Sequence, residues 1–252
     1  MKLLLILFFL TSCVSQLTEK EKVRNIIKKK LSLSSDLSVK KLLGGQSPAS
    51  LFLISSKTKK YVFRSFSHKS EKGRKREVLL SKNASEQGYG PKIYYADTAP
   101  NFIIMEYLPA QKISKKELQS EKFYVLLANL LQKIHQNKIK KKSKQNNFQK
   151  IINKIHKFKK KFSKEIPLGK LERILTQLSK TLTPHLLTTW CHNDLHGGNL
   201  IYQGNQFKAI DFEASGPGDP YYDIATVLNF FLASKTHEKI LLKSYLRRKP
   251  TA

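Results

Sequence analysis

Two short motifs in the C-terminal half of the chain hold acidic and amide side chains at close spacing. The first motif reads CHNDLHGGN and carries Asp194 and Asn199, and the second reads IDFEASGPGDPYYDIA and carries Asp211. Carboxylate and amide oxygens suit a hard cation such as Mg²⁺, which usually keeps several waters and binds phosphate groups as well. The local chemistry therefore suggests a metal and a polyphosphate.

The residues between the two motifs predict how the motifs approach each other. Short runs of strand-forming residues at 200–202 and 207–210 flank Gly204-Asn205, which is the pattern of a β-hairpin. The second strand ends at Asp211, so the hairpin is expected to return Asp211 to the side of Asn199.

The first motif also predicts the place of the remaining acid. Asp194 lies five residues before Asn199, so it can sit beyond the metal and face an incoming nucleophile. Gly197 and Gly198 are expected to allow tight turns in this loop that bulkier residues would resist.

The composition narrows the class of partner. The chain has 252 residues, enough for one large domain or two small lobes, and 47 Lys and Arg against 18 Asp and Glu give a net charge of +29. Such a field attracts nucleotides, nucleic acid or anionic membrane, but many lysines simply solvate helix faces. Runs that combine aromatic and basic residues are not evident, so no nucleic acid is expected. Cys13 and Cys191 form no disulfide or metal framework, which fits a reducing compartment.

The first 17 residues are predicted to be an apolar leader. The run from Leu3 to Leu10 is too short to span a bilayer, and Leu10-Thr11-Ser12-Cys13 resembles a bacterial lipoprotein box with Cys13 as the lipidated residue. The alternative to such an export signal is a plain apolar leader, or a start codon assigned too far upstream. The predicted location is the cytoplasm, where ATP is abundant, with a membrane-anchored lipoprotein as the alternative.

Residues 18–108 are predicted to form a compact α+β block. Thr18 is a possible N-terminal cap for the first helix, before Glu21. Helices are expected at 18–33 and 73–87, and strands at 39–43, 51–54, 61–66, 93–96 and 102–105.

Residues 109–252 are predicted to be mostly helical, apart from the hairpin. A lysine-dense stretch at 138–164 carries apolar residues at helical spacing and is predicted to be an amphipathic helix with a basic outer face. That face could contact anionic lipid or simply be solvated. Further helices are expected at 115–136, 168–180 and 223–247.

The two motifs together resemble the catalytic and metal-binding loops of the choline kinase and aminoglycoside phosphotransferase superfamily. The pattern H-x-D-x-x-x-x-N followed by D-F-E is close over about 35 residues and weaker over nearly all of the chain after the leader. A protein kinase would carry H-R-D and D-F-G, where this chain has Asn193 and Glu213. The resemblance implies an α+β, protein-kinase-like fold with a small β-rich N-terminal lobe and a mostly helical C-terminal lobe. The chain ends soon after Asp223, so the C-terminus and the substrate pocket are expected to be shortened.

The resemblance also implies roles in the C-terminal lobe. Asp194 would be the catalytic base that orients the substrate hydroxyl, and Asn199 and Asp211 would hold Mg²⁺. His192 is expected to shape the loop. Asp219 and Asp223 are expected to brace the catalytic loop and cap the next helix.

In the N-terminal lobe, the segment GGQSPASLFLI looks like the turn that covers the nucleotide phosphates. Gly44 and Gly45 would give backbone freedom there, and Ser47 and Ser50 would donate to phosphate oxygens. The segment lacks a full G-x-G-x-x-G, and an ordinary hairpin turn would look similar.

Other positions of the same lobe correspond to nucleotide contacts. Arg64 stands where the superfamily carries a Lys or Arg for the α- and β-phosphates, and Glu77 on the following helix is its best candidate ion-pair partner. Backbone groups near Glu106 and Leu108 would meet adenine, although a plain strand end is the alternative. The implied cofactors are ATP and Mg²⁺, and the implied partner is a small substrate with a hydroxyl group.

The acceptor is expected to be choline, ethanolamine or a thiamine-like compound. The letters C-H-N-D-L and D-F-E favour such kinases over antibiotic-resistance enzymes. A quaternary ammonium needs an aromatic cage, for which the candidates are Trp190, Tyr221, Tyr222, Phe230, Phe231 and Tyr245. The alternatives are a pseudokinase and a basic membrane-associated lipoprotein, both without turnover.

Overall fold

The computed structural model describes residues 18–33, 36–42, 50–66, 69–99, 101–137, 152–157, 169–182 and 188–247. The predicted leader at 1–17 lies outside the described residues, as do residues 43–49 and most of the stretch at 138–164. Of that stretch, residues 152–157 are helical, with Ile152 and Ile155 buried and Lys154 exposed, so the described turns have the predicted amphipathic pattern. None of the helices that the structure describes is long and apolar enough to cross a membrane.

Helix α1, Glu19–Leu31, begins at a capping box. The Thr18 hydroxyl accepts the N–H of Glu21, and the Glu21 carboxylate accepts the N–H of Thr18 at 2.8 Å. The helix buries Val23 and Ile27, so one apolar stripe faces the sheet core while the lysines of the last turn stay outside. Both the helix and the Thr18 cap were predicted from the sequence, and both predictions are confirmed.

A five-stranded antiparallel sheet is the main feature of the described N-terminal region. Its strands are β1 Ser38–Lys41, β2 Leu51–Ser55, β3 Lys60–Ser65, β4 Ile93–Ala96 and β5 Phe102–Glu106, in the order β1-β2-β3-β5-β4. The strands pair with their neighbours along the sheet because β-branched and aromatic residues fill its buried faces. Strand β3 is central, and Arg64 on it lies opposite Leu51 on one side and Ile103 on the other.

The C-terminal region is mostly helical. Its helices are α3 Lys115–Leu118, α4 Glu121–His135, α5 Gly169–Leu182, α6 Pro220–Phe230 and α7 Lys235–Arg247. Helix α4 buries most of its length and packs along α7, because apolar residues recur around nearly its whole circumference. The α+β class, with a β-rich first part and a helical second part, is confirmed.

Short strands carry the two motifs. Strand β6, Thr189–Cys191, pairs with β9, Gly216–Gly218, and β7, Leu200–Tyr202, pairs with β8, Phe207–Ala209. The predicted hairpin is therefore present, with a loop of four residues in which Gly204 has a φ of +78°. Positive φ is the conformation that glycine adopts at least cost.

The described chain divides into two compact units, and the division falls inside helix α2, Glu71–Glu86. The first unit runs to Val78 and includes Ile93–Tyr107, and the second comprises Leu79–Lys92 and the chain from Leu108. The sequence analysis placed all of 18–108 in one lobe. Residues 79–92 depart from that division because Leu80, Ala84 and Tyr89 belong to the apolar core of the second unit.

Candidate active site

The pairing of β6 with β9 brings the two chemical motifs together. Cys191 lies opposite Gly216, so the loop after β6 runs beside the loop before β9. Asn193 bridges the two loops, since its side-chain amide donates to the backbone oxygens of Ala214 at 3.2 Å and Gly216 at 3.3 Å. The position where a protein kinase has Arg is thus used here to tie the first motif to the second.

Asp194 and Asn199 are in direct contact. The amide nitrogen of Asn199 donates to the backbone oxygen of Asp194 at 2.9 Å and to its carboxylate at 3.2 Å. With the nitrogen turned toward Asp194, the Asn199 Oδ1 atom is the end that can bind a cation. Asn199 is buried, whereas the Asp194 side chain is about half exposed, at 54%. Asp194 is therefore open to a molecule arriving from solvent.

The residue before Asp211 is held by both ends of the first motif. Ile210 donates its N–H to the backbone oxygen of Asn199 at 3.0 Å, and the ring Nε2 of His192 bonds the backbone oxygen of Ile210 at 3.0 Å. The side chains of Asp211 and Asn199 therefore extend from adjacent stretches of backbone, as the hairpin pattern predicted. The loop-shaping role predicted for His192 fits this contact.

Two residues of the site adopt the left-handed backbone conformation that side chains seldom occupy. Asn193 and Asp211 both have a φ of 63°. Asn and Asp tolerate this region better than other non-glycine residues, at a cost of about 1–2 kcal/mol. The surrounding hydrogen bonds keep both residues in place, and strain of this kind is typical of active sites.

Asp223 at the start of α6 anchors the first motif by its backbone. One carboxylate oxygen accepts the N–H of His192 at 2.7 Å, and the other accepts the N–H of Asn193 at 2.8 Å. Asp219 caps the same helix by accepting the N–H of Tyr221 at 2.8 Å. The bracing and capping roles predicted for these two aspartates are confirmed.

Glycine is needed at position 197 for a different reason from the one that was predicted. In the part of the chain that the structure describes, the glycines with positive φ are Gly88 and Gly204, so neither Gly197 nor Gly198 needs an unusual turn. The ring of Phe230 packs directly on Gly197, where an added Cβ would lie only 1.9 Å from two ring carbons. A side chain at position 197 would push the ring aside, and no local sequence pattern indicates this long-range contact.

Burial controls the titration of the residues just behind the loop. Burial lowers the pKa of His192, so this ring is neutral at ordinary pH and serves as a hydrogen-bonding spacer. Burial also raises the pKa of Cys191, with the Asp223 carboxylate adding to the effect, so the thiol stays protonated and unreactive. These two residues shape the loop and do not act on a substrate.

Arg64 and Glu77 form the predicted ion pair within the first unit. The guanidinium Nη2 lies 2.7 Å from Glu77 Oε1, and both side chains are nearly buried. Lys69, which the sequence analysis missed, pairs with the other carboxylate oxygen. Glu77 therefore joins two cations, one on the central strand and one in the segment leading to α2. The signal that could have found Lys69 is its place just before α2, two helical turns from Glu77.

The other predicted phosphate contacts in the first unit stay predictions. Gly44, Gly45 and Ser47 lie outside the described residues. Ser50 is described, and it lies close enough to Glu19 on α1 to help Lys41 lower the pKa of that carboxylate.

The predicted hinge lies at the end of the sheet. Glu106 is the last residue of β5, opposite Tyr61, and Tyr107 donates its N–H to the Lys60 oxygen at 3.4 Å. Leu108, which is buried, is the residue at which the chain returns to the second unit. The chain thus passes between units where the adenine contacts were predicted, and those contacts stay a prediction.

The aromatic candidates for a cation cage separate by burial. Trp190 and Tyr245 belong to the core and cannot line a pocket. Tyr221, Tyr222 and Phe230 each expose between 41% and 52% of their surface, so they are accessible to a ligand. Phe231 packs against Phe123 with ring centroids 5.0 Å apart and is therefore a core-side residue.

The family of the chain follows from a match that spans both units. Residues 38–245 match the family described as "Phosphotransferase enzyme family". The chain belongs to this family. The match contains both motifs, Arg64 and Glu77, so the residues that carried the resemblance lie in the region shared with the family.

Curated relatives of the chain match over shorter segments. Protein LicA of Haemophilus influenzae is 33% identical over 78 residues, which are 31% of this chain and 29% of LicA. A thiamine kinase of Escherichia coli is 39% identical over 56 residues, which are 22% of this chain and 20% of the kinase. The matched segments thus span less than a third of these relatives.

Solved structures resemble the chain over nearly its whole length. A choline/ethanolamine kinase family protein from Mesorhizobium loti superposes with a TM-score of 0.70 at 17% identity, covering 91% of this chain and 76% of that one. The streptomycin–ATP ternary complex of APH(2″)-IIa gives a TM-score of 0.64 at 19% identity, covering 92% and 84%. The predicted kinase-like fold is confirmed by these similarities.

Proposed function

We propose that the protein is an ATP-dependent phosphotransferase that moves the γ-phosphate to a hydroxyl group of a small molecule. The observation that carries the proposal is the contact of Asp194 with Asn199 beside the backbone that leads to Asp211. Membership of the phosphotransferase family and the occurrence of ATP in a structurally similar complex support it. A cytoplasmic location follows from the proposal, since ATP is abundant there.

The donor set of the second unit fits a magnesium ion. Asn199 Oδ1 and the Asp211 carboxylate are hard oxygen ligands, and the Asn199 amide nitrogen is already turned toward Asp194. These two residues would hold Mg²⁺, which when bound offsets the charge of the nucleotide phosphates. No nitrogen or sulfur ligand is needed at this position.

Asp194 is assigned as the catalytic base. Its half-exposed carboxylate aligns the acceptor hydroxyl and takes the hydroxyl proton as the oxygen bonds to the γ-phosphorus and the bond to the ADP oxygen breaks. Asn199 orients the carboxylate by donating to it at 3.2 Å. Because the transition state is loose, positioning of this kind supplies a large part of the rate enhancement.

The acceptor that we propose is choline, ethanolamine or a thiamine-like compound. The relatives include a thiamine kinase, and a structural neighbour is named for choline and ethanolamine. All these acceptors carry a cationic nitrogen, and the exposed rings of Tyr221, Tyr222 and Phe230 can bind a cation through their faces. Phe230 is the best placed of the three, since it packs on Gly197 in the same loop as Asp194.

Turnover by the purified protein tests the proposal. ADP release would be measured with Mg-ATP and each of choline, ethanolamine, thiamine, an aminoglycoside and a sugar. We expect turnover with one of the first three. Binding of Mg-ATP without turnover on any acceptor would contradict the proposal and favour the pseudokinase alternative.

Two matched variants separate the roles of the acids. Asp211→Asn should weaken Mg²⁺ binding, because a hard cation prefers a carboxylate to an amide, and extra Mg²⁺ should restore some turnover. Asp194→Asn should bind Mg-ATP normally, lose about 10²–10⁴-fold in kcat and gain nothing from extra Mg²⁺. Titration calorimetry and steady-state rates at two Mg²⁺ concentrations measure both effects. An identical metal dependence for the two variants would show that the roles are not divided in this way.

A further inference from the structure

A chain of buried polar groups links helix α7 to the loop that carries Asp194. The hydroxyl of Tyr245 lies 2.9 Å from His135 Nδ1, and His135 Nε2 lies 3.2 Å from Asp223 Oδ2. Asp223 in turn accepts the N–H groups of His192 and Asn193. The three linking side chains come from α7, α4 and α6, and all are buried.

One tautomer of the His135 ring satisfies every hydrogen bond in this chain of groups. A carboxylate only accepts, so His135 Nε2 must carry the proton that Asp223 receives. In the tautomer that carries the proton on Nε2, Nδ1 is an acceptor, and the Tyr245 hydroxyl donates to it. Burial raises the pKa of Tyr245, so the hydroxyl keeps the proton that this arrangement needs. In this arrangement Tyr245 donates a hydrogen bond to His135, and His135 donates one to Asp223.

Tyr245 is held at two points by one face of α4. Gln132, one turn before His135, donates to the backbone oxygens of Tyr245 at 2.6 Å and Ser244 at 3.3 Å. The same residue of α7 thus has its backbone fixed by Gln132 and its hydroxyl fixed by His135. The position of the hydroxyl is set by the packing of α4 against α7.

The Cys191 thiol lies beside His135 and Asp223, but these three residues do not form a metal site. His135, Cys191 and Asp223 bring ligand atoms within 4.8 Å of one another. However, both ring nitrogens of His135 and both oxygens of Asp223 already bond protein groups. Burial also keeps the thiol protonated, whereas a metal binds the thiolate. The cluster therefore serves to position the loop.

We propose that Tyr245 is a remote positioning residue for the phosphotransfer reaction. By donating to Nδ1 it holds the His135 ring in the tautomer that donates to Asp223, and Asp223 then holds the backbone of His192 and Asn193 next to Asp194. The proposal rests on the proposed function for its kinetic part, and its structural part is independent of turnover.

The test compares Tyr245→Phe with Tyr124→Phe in the full chain. Tyr124 is a matched control, because it is equally buried on α4 and its ring stacks on His237 of α7 at 4.3 Å. We expect Tyr245→Phe to speed amide exchange at His192 and Asn193 and to lower kcat, each by about two- to tenfold, the value of one net hydrogen bond. The KM for ATP should stay unchanged, and the control should change neither quantity.

Nitrogen NMR of the unmodified protein gives a second measurement that needs no variant to fold. The His135 ring should be the Nε2–H tautomer at neutral pH, and a proton on Nδ1 would overturn the proposal. Equal amide exchange in wild type, Tyr245→Phe and Tyr124→Phe would also overturn it. If the wild type turns over no acceptor, the proposed function fails, while the exchange and tautomer results still decide the role of Tyr245.

Discussion

At the scale of single residues, Arg64 offers the sharpest test of nucleotide binding. Its guanidinium is nearly buried on the central strand and is held by Glu77 at 2.7 Å. Removing it leaves phosphate charge less compensated, so Arg64→Ala should weaken Mg-ATP binding by about 1.5–3 kcal/mol, the value of a hydrogen bond to a charged group. Titration calorimetry measures the loss.

Two variants control for the ion pair itself. Glu77→Gln breaks the pair but keeps the cation, so it should lose less affinity than Arg64→Ala. Arg64→Lys should recover part of the loss, because the charge is kept and the planar fork is lost. If Glu77→Gln loses as much affinity as Arg64→Ala, Arg64 supports the fold and does not contact phosphate.

His192 predicts a pH dependence of stability. Burial lowers its pKa in the folded protein, so on acidification the unfolded chain binds a proton that the folded chain does not. The free energy of unfolding should therefore fall as pH drops from about 7 to about 5, through and below the usual histidine pKa of about 6.5. Urea titrations at several pH values measure this slope. His192→Gln should flatten it, and an unchanged slope in that variant would assign the effect to another group.

At the scale of elements, the turn that follows α2 contains two glycines that are required for different reasons. Gly88 has a φ of +71° and open space around it, whereas a Cβ on Gly90 would lie 2.8 Å from Ala84 Cβ and 3.3 Å from the Phe212 ring. At position 88, Asn should therefore destabilise less than Ala, because Asn tolerates positive φ and Ala loses about 1–2 kcal/mol.

At position 90 we expect the reverse, with Ala less destabilising than Asn. Ala should cost about 1–3 kcal/mol by overpacking and Asn should cost more, because the larger side chain meets the same atoms. Gly169→Ala is the control, since nothing lies within 4 Å of that position at the start of α5. Thermal unfolding gives the stability of all five variants. If Ala and Asn rank in the same order of stability at positions 88 and 90, the two glycines are not required for different reasons.

The elements were predictable because their signals are local. The α1 cap, the strands and the hairpin each follow from patterns within a few residues, and all appear near the predicted bounds. The Arg64–Glu77 pair was also found, because the family resemblance supplied the register. Tyr245 and His135 are 110 residues apart, and Phe230 meets Gly197 across a loop and a helix. No local pattern encodes such contacts, so they required the structure.

At the scale of the whole molecule, the charge of +29 is the dominant electrostatic feature. Like charges repel in the folded state more than in the expanded unfolded chain, which lowers stability. Raising NaCl from about 20 to about 300 mM shortens the screening length from about 20 Å to about 6 Å and should raise the Tm. Glucose at equal osmolality is the control. A Tm that falls with salt would mean that the ion pairs contribute more than the repulsion.

The division inside α2 has a consequence for the order in which the protein is made on the ribosome. Residues 79–92 are synthesised before the rest of the unit to which they belong. Leu80, Ala84 and Tyr89 find their partners on α4, on the hairpin and in Phe212, all of which emerge later. During translation these three apolar side chains must therefore stay without their final partners until Phe212 has emerged, and in that interval they are accessible to chaperones and to neighbouring nascent chains.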